Sequence, residues 1–236
     1  MQQRPVALVT GANKGIGKEI ARQIAERGFA VIVGARDLGR GQAAAAGIPG
    51  ARALALDVTK PETIAAAAAA IADTPGRLDV LVNNAGIARG GVASSASLAD
   101  IRDVFETNVF GAIAVTQAML PLLRAAPAGR IVNVSSGVGS LTRITDPAYP
   151  HLRVGGVAYG PSKTALNAVT VAFAQELRDT SIKVNAACPG YTATDLNNHT
   201  GPRTVEQAAR EPVRLAMLPA DGPTGTFSNE DGPLPW

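Results

Sequence analysis

Short apolar runs alternate along the chain with longer stretches in which apolar residues return every three or four positions. Val6 to Thr10 is an uninterrupted run ahead of a glycine, which predicts a strand buried on both faces. Gly15 to Arg27 places Ile16, Ile20, Ile24 and Ala25 at helical spacing, and Gly28 ends that helix. Ala30 to Val33, Ala53 to Leu56, Val80 to Val82, Ile131 to Val134 and Ile182 to Ala187 repeat the strand pattern. Between them, Gly39 to Ala46 reads as a weak helix, and Thr59 to Glu62 has capping-box spacing ahead of an alanine-rich helix. Ser97 to Asp100 opens a long helical stretch that ends near Arg124. Tyr159 to Arg178 carries Leu166, Val169, Phe173 and Leu177 at helical spacing; Thr204 to Leu218 reads as a helix interrupted near Pro212. Gly225 to Phe227 reads as a short edge strand. Strands that alternate with helices mean crossover units, hence an α/β fold: a doubly wound parallel sheet with helices on both faces. There is no repeat, no low-complexity linker and no second core, so residues 1–236 are expected to form a single dinucleotide-binding domain.

Composition narrows the function. Apolar residues make up 46% and charged residues 17%, which excludes a disordered chain. A net charge of +3 is too small to imply nucleic acid or a membrane surface as a partner. One cysteine, Cys188, rules out an internal disulfide framework and a multi-cysteine metal site, and with only two histidines no metal is expected. Cys188 follows a predicted buried strand and reads as core rather than nucleophile. No signal peptide is visible, and the longest apolar run, Ile64 to Ala72, falls short of a membrane span. The expectation is a soluble, cytoplasmic chain.

The first strand runs directly into Thr10-Gly11-Ala12-Asn13-Lys14-Gly15-Ile16-Gly17. Glycines here let the backbone approach a pyrophosphate, and the N–H groups of the following helix face the anion. Asp37 stands about where an acidic residue would hold a ribose hydroxyl. Ala35, however, takes the last strand position and Arg36 comes next. Arg36 and Lys14 suit a 2′-phosphate, which favours NADP over NAD.

Tyr159-Gly160-Pro161-Ser162-Lys163 puts a phenol and an ammonium one turn apart on one helical face. A cation there is expected to pull the phenol down from about 10 toward neutrality, so that it gives and takes a proton. Three further strand ends lie on the same edge of the sheet. The fifth ends at Ser135-Ser136, with Ser136 placed to donate to a substrate oxygen. The fourth ends in the turn Asn83-Asn84-Ala85-Gly86, and the sixth in Cys188-Pro189-Gly190.

Taken together, these residues resemble the short-chain dehydrogenase/reductase family. The resemblance rests on Thr10 to Gly17, Asp57, Asn83 to Gly86, Asn108, Ser136, Tyr159 with Lys163, and Pro189-Gly190 followed by Thr194. Within the family the chain is similar to the NADPH-dependent carbonyl reductase branch, on Gly11 to Gly17, Ala35-Arg36-Asp37, Asn185 to Gly190 and Gly222 to Phe227. The resemblance implies a Rossmann-type sheet of about seven strands and reduction of a small-molecule ketone or aldehyde with NADP(H). It implies Tyr159 as proton donor and Lys163 as the residue that lowers its pKa and holds the nicotinamide ribose. Ser136 would position the carbonyl oxygen, and Asn108 would support a water beside Lys163. Gly11, Asn13, Lys14, Gly15, Ile16 and Gly17 would take the pyrophosphate side of the cofactor, with Arg36 toward the 2′-phosphate. Asp57 and Val58 would line the adenine, Asn84, Ala85 and Gly86 would lie along the cofactor, and Pro189, Gly190, Thr192 and Thr194 would stand toward its nicotinamide end. The chain departs from the common pattern between Ser136 and Tyr159, 23 positions apart where about 13 is usual. The extra segment, Thr142 to Gly155, is shorter than the branch's own insertion, which covers the helix face used for subunit pairing. A monomer is favoured, with a homo-oligomer as the alternative, and Tyr149 and His151 are candidates for the substrate mouth. Two other readings use the same fold. A non-catalytic NADP(H)-sensing regulator needs the glycine turn but no Tyr–Lys pair. NAD(P)-linked oxidation of a steroid or polyol would favour Asp at position 35, where this chain has alanine.

Overall fold

The computed structural model describes residues 4–149 and 156–236. The strands are β1 (Val6–Thr10), β2 (Ala30–Ala35), β3 (Arg52–Ala55), β4 (Val80–Asn83), β5 (Arg130–Val134), β6 (Lys183–Ala187), β7 (Phe227–Asn229) and β8 (Gly232–Pro233). They form one sheet in the order β3-β2-β1-β4-β5-β6-β7-β8. Every pair is parallel except β7 with β8. The eighth strand is a Gly-Pro dipeptide, too short to leave any periodicity in the sequence. The helices are α1 (Gly15–Glu26), α2 (Leu38–Ala45), α3 (Pro61–Asp73), α4 (Leu98–Phe105), α5 (Gly111–Arg124), α6 (Leu141–Thr145), α7 (Tyr159–Glu176) and α8 (Val205–Ala216). No helix among the described residues is long and apolar enough to cross a membrane.

The two-residue period of the strands divides the core. Val6 and Leu8 of β1 point to one face, where Ile64, Ile71, Val115, Met119, Leu123 and Phe173 cover them. Ala7 and Val9 point to the other, against Ile20, Ile24, Ala44 and Val213. Each fully buried leucine or isoleucine contributes about 1.5–3 kcal/mol, which makes both faces of the sheet costly to uncover.

Local departures from the sequence pattern have local causes. Thr59 does not cap α3: the helix starts at Pro61, whose fixed φ suits a first helical position, and the Thr59 hydroxyl donates to Asp57 Oδ1 at 2.8 Å. Ser97 does cap α4, accepting the Asp100 N–H at 3.5 Å. The long stretch to Arg124 is divided by a π-helical turn, Glu106–Phe110, which presents Asn108. Pro212 does not interrupt α8. It is buried within the helix beside Ala208, Ala209, Val213 and Leu215, and packing of that face outweighs one lost hydrogen bond. The extra segment after Ser136 begins in the short helix α6. The assignment of His151 to the substrate mouth lies outside the described residues.

Asn83 is the last residue of β4 and is buried, not part of a turn. It lies in register with Asn133 of β5. Its Nδ2 donates to Thr116 Oγ1 and to Asn133 Oδ1, both at 2.9 Å. Asn133 Nδ2 donates in turn to Thr170 Oγ1 at 2.8 Å. This buried amide ladder ties α5 and α7 to the two strands that end at the crevice, and buried polar groups are costly once their partners are removed. Asn133→Ala is expected to lower unfolding stability by about 1–3 kcal/mol. Urea denaturation measures it, and an unshifted midpoint would show that the ladder contributes nothing.

Candidate active site

β1 has β2 on one side and β4 on the other, so the crossovers leave in opposite directions and open a crevice at the carboxyl ends of the strands. The turn after β1 forms its floor. Gly11 has φ +63°, a left-handed value, and a Cβ there would sit 2.9 Å from Ala85 Cα. A Cβ on Gly17 would lie 2.3 Å from Asn84 Nδ2. That nitrogen instead donates to the carbonyls of Thr10 at 2.9 Å and Gly11 at 3.3 Å. The Thr10 hydroxyl accepts the N–H groups of Asn84 and Ala85, both at 3.0 Å. The turns after β1 and β4 are thus locked together, and Asn84 and Ala85 act here as structural members of the turn. Lys14 stands at the N-cap of α1 with no side-chain cap, and the first turn carries no acidic residue. Ile16 packs partly buried on the core behind the turn. The free helix N–H groups and the close backbone approach fit a pyrophosphate.

Beside this turn a groove of about 300 Å³ is lined by Asn13, Lys14, Lys18, Arg40, Ala43 and Ala44. Asp37, the tempting ribose ligand, is spent as the N-cap of α2, accepting the Arg40 N–H at 2.9 Å. Arg36 is exposed next to it and is not among the residues that line the groove. Lys18 and Arg40 were missed from the sequence. The available signal was Lys14 and Lys18 one turn apart at the start of α1, with Arg40 in the first turn of α2. Lys14 itself forms an exposed ion pair with Asp195, whose other oxygen accepts from His199 Nε2 at 2.8 Å.

Tyr159 opens α7, and its ring centroid lies 5.6 Å from Lys163 Nζ, so the expected pair is assembled. Lys163 is buried, and its ammonium donates to the Val134 carbonyl at 2.8 Å. Ser136 lies near enough to the phenol to favour its charged form. The expected lowering of the tyrosine does not hold in the cofactor-free protein. Burial pushes Tyr159 up to about 12, against an opposing pull from Ser136. Burial likewise pulls Lys163 down to about 8. The reason is shared: loss of water disfavours the charged form of each group.

Asn108 is buried on the π-helical turn. Its Oδ1 accepts the Ile87 N–H at 2.8 Å, while Nδ2 donates to the Ile87 carbonyl at 2.9 Å and to Ser162 Oγ at 3.0 Å. Its amide therefore fastens the chain after β4 to α7. Gly86 passes close above: a Cβ there would stand 3.3 Å from Asn108 Oδ1 and 3.6 Å from Lys163 Nζ.

The remaining candidates divide. Asp57 is half-buried and its Oδ1 accepts from the Thr59 N–H and hydroxyl, whereas the Val58 side chain is core, packed where a Cβ on Gly111 would meet it at 2.7 Å. Val58 can offer a nucleotide only its backbone. After β6, Pro189 and Gly190 accept from the buried Thr192 hydroxyl at 3.4 and 3.2 Å. Thr194 caps a short 3₁₀ turn, Asp195–Asn197, and Gly15 lies 3.9 Å from it, measured from a Cβ placed on the glycine to Thr194 Cγ2. Thr192 and Thr194 thereby shape the loop that faces the glycine turn. Cys188 is buried and its burial pushes the thiol up, which agrees with a core residue. Among the described residues no group of three His, Cys, Asp or Glu side chains could hold a metal ion.

The sequence model of the short chain dehydrogenase family matches residues 5–204. The chain is 34% identical to (-)-isopiperitenone reductase of Mentha piperita, covering 97% of each chain. It is 33% identical to carbonyl reductase [NADPH] 1 of Rattus norvegicus, covering 99% of each. The solved structure of salutaridine reductase from Papaver somniferum superposes with a TM-score of 0.84 at 29% identity, over 95% of this chain and 99% of that one. The doubly wound sheet and the match along most of its length agree: this chain belongs to the short-chain dehydrogenase/reductase family of NAD(P)(H)-dependent oxidoreductases and resembles its carbonyl reductase branch.

Proposed function

We propose that the chain is an NADPH-dependent reductase of ketone and aldehyde carbonyls, with Tyr159 as the proton donor. The observation that carries this reading is the Tyr159 ring beside the buried Lys163 ammonium, with Ser136 on the adjoining strand-end loop, at the carboxyl edge of the sheet. A bound NADPH supplies the hydride. The uncapped start of α1 and the turn Gly11 to Gly17 would hold its pyrophosphate, and Lys14, Lys18 and Arg40 would take the 2′-phosphate.

The Ser136 and Tyr159 hydroxyls donate to the carbonyl oxygen and stabilise the negative charge that develops there. Tyr159 then passes its proton to that oxygen. The alkoxide is the stronger base, so a phenol that titrates at about 12 still gives up its proton readily. Lys163, next to the ring, offsets the charge left on the phenolate. Its bond to Val134 keeps the ammonium in place while this happens. A regulator that only senses NADP(H) would require none of these three side chains. The name of the rat relative, a carbonyl reductase using NADPH, supports both the reaction and the cofactor.

Tyr159→Phe is expected to lower turnover about 10²–10⁴-fold in an assay at 340 nm against 4-nitrobenzaldehyde, acetophenone and menadione. NADPH binding should stay within about twofold, and full activity in this variant would end the assignment. Lys14→Ala and Arg40→Ala are each expected to weaken NADPH about 10–100-fold, the worth of a charge-assisted bond, while NADH is unchanged. Fluorescence titration measures both, and equal losses for the two cofactors would contradict a 2′-phosphate subsite. Stability should also carry the titration of Lys163. Its folded value of about 8 lies below the ordinary 10.5, so between those values the unfolded chain binds the extra proton and stability rises with pH. Tyr159 acts oppositely above pH 10, where the folded chain keeps the extra proton and stability falls. Urea denaturation of the cofactor-free protein is expected to show a rise from pH 8 to 10.5 that Lys163→Met lacks. Parallel curves for the two proteins would show that burial does not depress the lysine.

A further inference from the structure

Asn167 stands one turn beyond Lys163 and two turns beyond Tyr159, so all three share one stripe of α7. No sequence signal marks it, and it is buried. Its Oδ1 accepts from the Ser135 hydroxyl at 2.6 Å, and its Nδ2 donates to the Gly139 carbonyl at 3.2 Å. Ser135 and Gly139 bracket Ser136. Ser135 is the residue before it, and Gly139 closes the 3₁₀ turn by donating its N–H to the Ser136 carbonyl at 2.9 Å. One amide therefore grips both ends of the short loop that carries Ser136.

The loop is also pressed onto the helix. A Cβ on Gly139 would lie 2.8 Å from the Lys163 carbonyl carbon and 2.9 Å from its Cβ. The Ser135 hydroxyl lies 3.5 Å from the Lys163 carbonyl oxygen as well. A backbone that approaches this closely leaves no slack, and the polar clip decides the register in which it sits. Ser136 is the middle of this gripped loop, so its place relative to Tyr159 and Lys163 follows the register in which the loop sits on α7.

We propose that Asn167 is a positioning residue for the reaction, which holds the Ser136 loop in register with Tyr159 and Lys163 through its two-sided amide. This rests on the reading of Ser136 as a donor to the carbonyl oxygen. A carboxamide suits the task because one planar group accepts on one side and donates on the other. Neither an alanine nor a carboxylate does both. Displacement of a reacting group by about 1 Å costs on the order of 10²-fold in rate, so the loss should fall on kcat rather than on cofactor binding.

The test is a double-mutant cycle on the full chain, using the most rapidly reduced of 4-nitrobenzaldehyde, acetophenone and menadione with NADPH. Asn167→Ala is expected to lower kcat about 10–100-fold, with the NADPH dissociation constant within about threefold of the parent. In a Ser136→Ala background the same substitution should cost less than about threefold, because its effect passes through the Ser136 hydroxyl. Ser135→Ala removes one arm of the clip and should show the same dependence on background at smaller size, whether or not Asn167→Ala folds. An equal loss in both backgrounds would mean that Asn167 merely supports the fold, and no loss in the parent background would mean that the clip is idle; either overturns the proposal. Full activity in Ser136→Ala would instead overturn the underlying role of Ser136, and absence of turnover with every carbonyl would overturn the reductase reading on which both stand.

Discussion

The hydrogen bond from the Lys163 ammonium to the Val134 carbonyl, 2.8 Å long, is the contact on which the rest of the crevice depends. An ammonium buried this deeply is costly unless an acceptor meets it. Val134 ends β5, and its carbonyl supplies that acceptor. The bond seats the first half of α7 on the sheet. Tyr159, one turn earlier on the same helix, is thereby carried to the crevice, where Ser136 follows two residues after Val134. The cost of burial appears in both partners: the lysine is pulled toward neutrality and the phenol is held in its protonated form.

Polar contacts beneath the site then determine how rigid this seating is. Asn108 fastens the chain after β4 to Ser162, between Tyr159 and Lys163. Asn167 fastens the Ser136 loop from the other side. Deeper still, Asn83 and Asn133 join the two strands to α5 and α7. Buried amides bonded to fixed partners are specific where apolar packing is tolerant, because a shift of one residue would break those bonds. The glycine turn is held by a similar device. Thr10 and Asn84 spend their side chains on the neighbouring backbone, and the start of α1 carries no side-chain cap. By contrast the Lys14–Asp195 pair is exposed on both sides, so it contributes little to stability.

Much of this was legible in one dimension. Strands buried on both faces show as continuous apolar runs, so six of the eight strands stood out; the edge strand expected over Gly225 to Phe227 is instead β7, Phe227–Asn229, and β8 outside it is a dipeptide with no period to read. The glycine turn, the Tyr159–Lys163 pair and Ser136 were visible because local spacing places them: a helix sets the i, i+4 distance, and a strand end sets the loop. Asp37, which stands where a ribose ligand could, caps α2 by accepting the Arg40 N–H. What escaped were residues whose meaning lies in contacts across the chain. Asn167, Lys18 and Arg40 are ordinary helix residues in sequence, and Asn83 looked like a turn residue because its partner Asn133 lies 50 positions away.

The sequence alone determined the chain's alternating architecture, the place of the glycine turn and the pairing of Tyr159 with Lys163, because each depends on periodicity or on neighbours a few residues apart. Tertiary structure decided the protonation of that group, the groove of cations beside the turn and the amides that hold the loop of Ser136. Those depend on how much water is excluded and on which distant groups meet, and both are properties of the packed molecule.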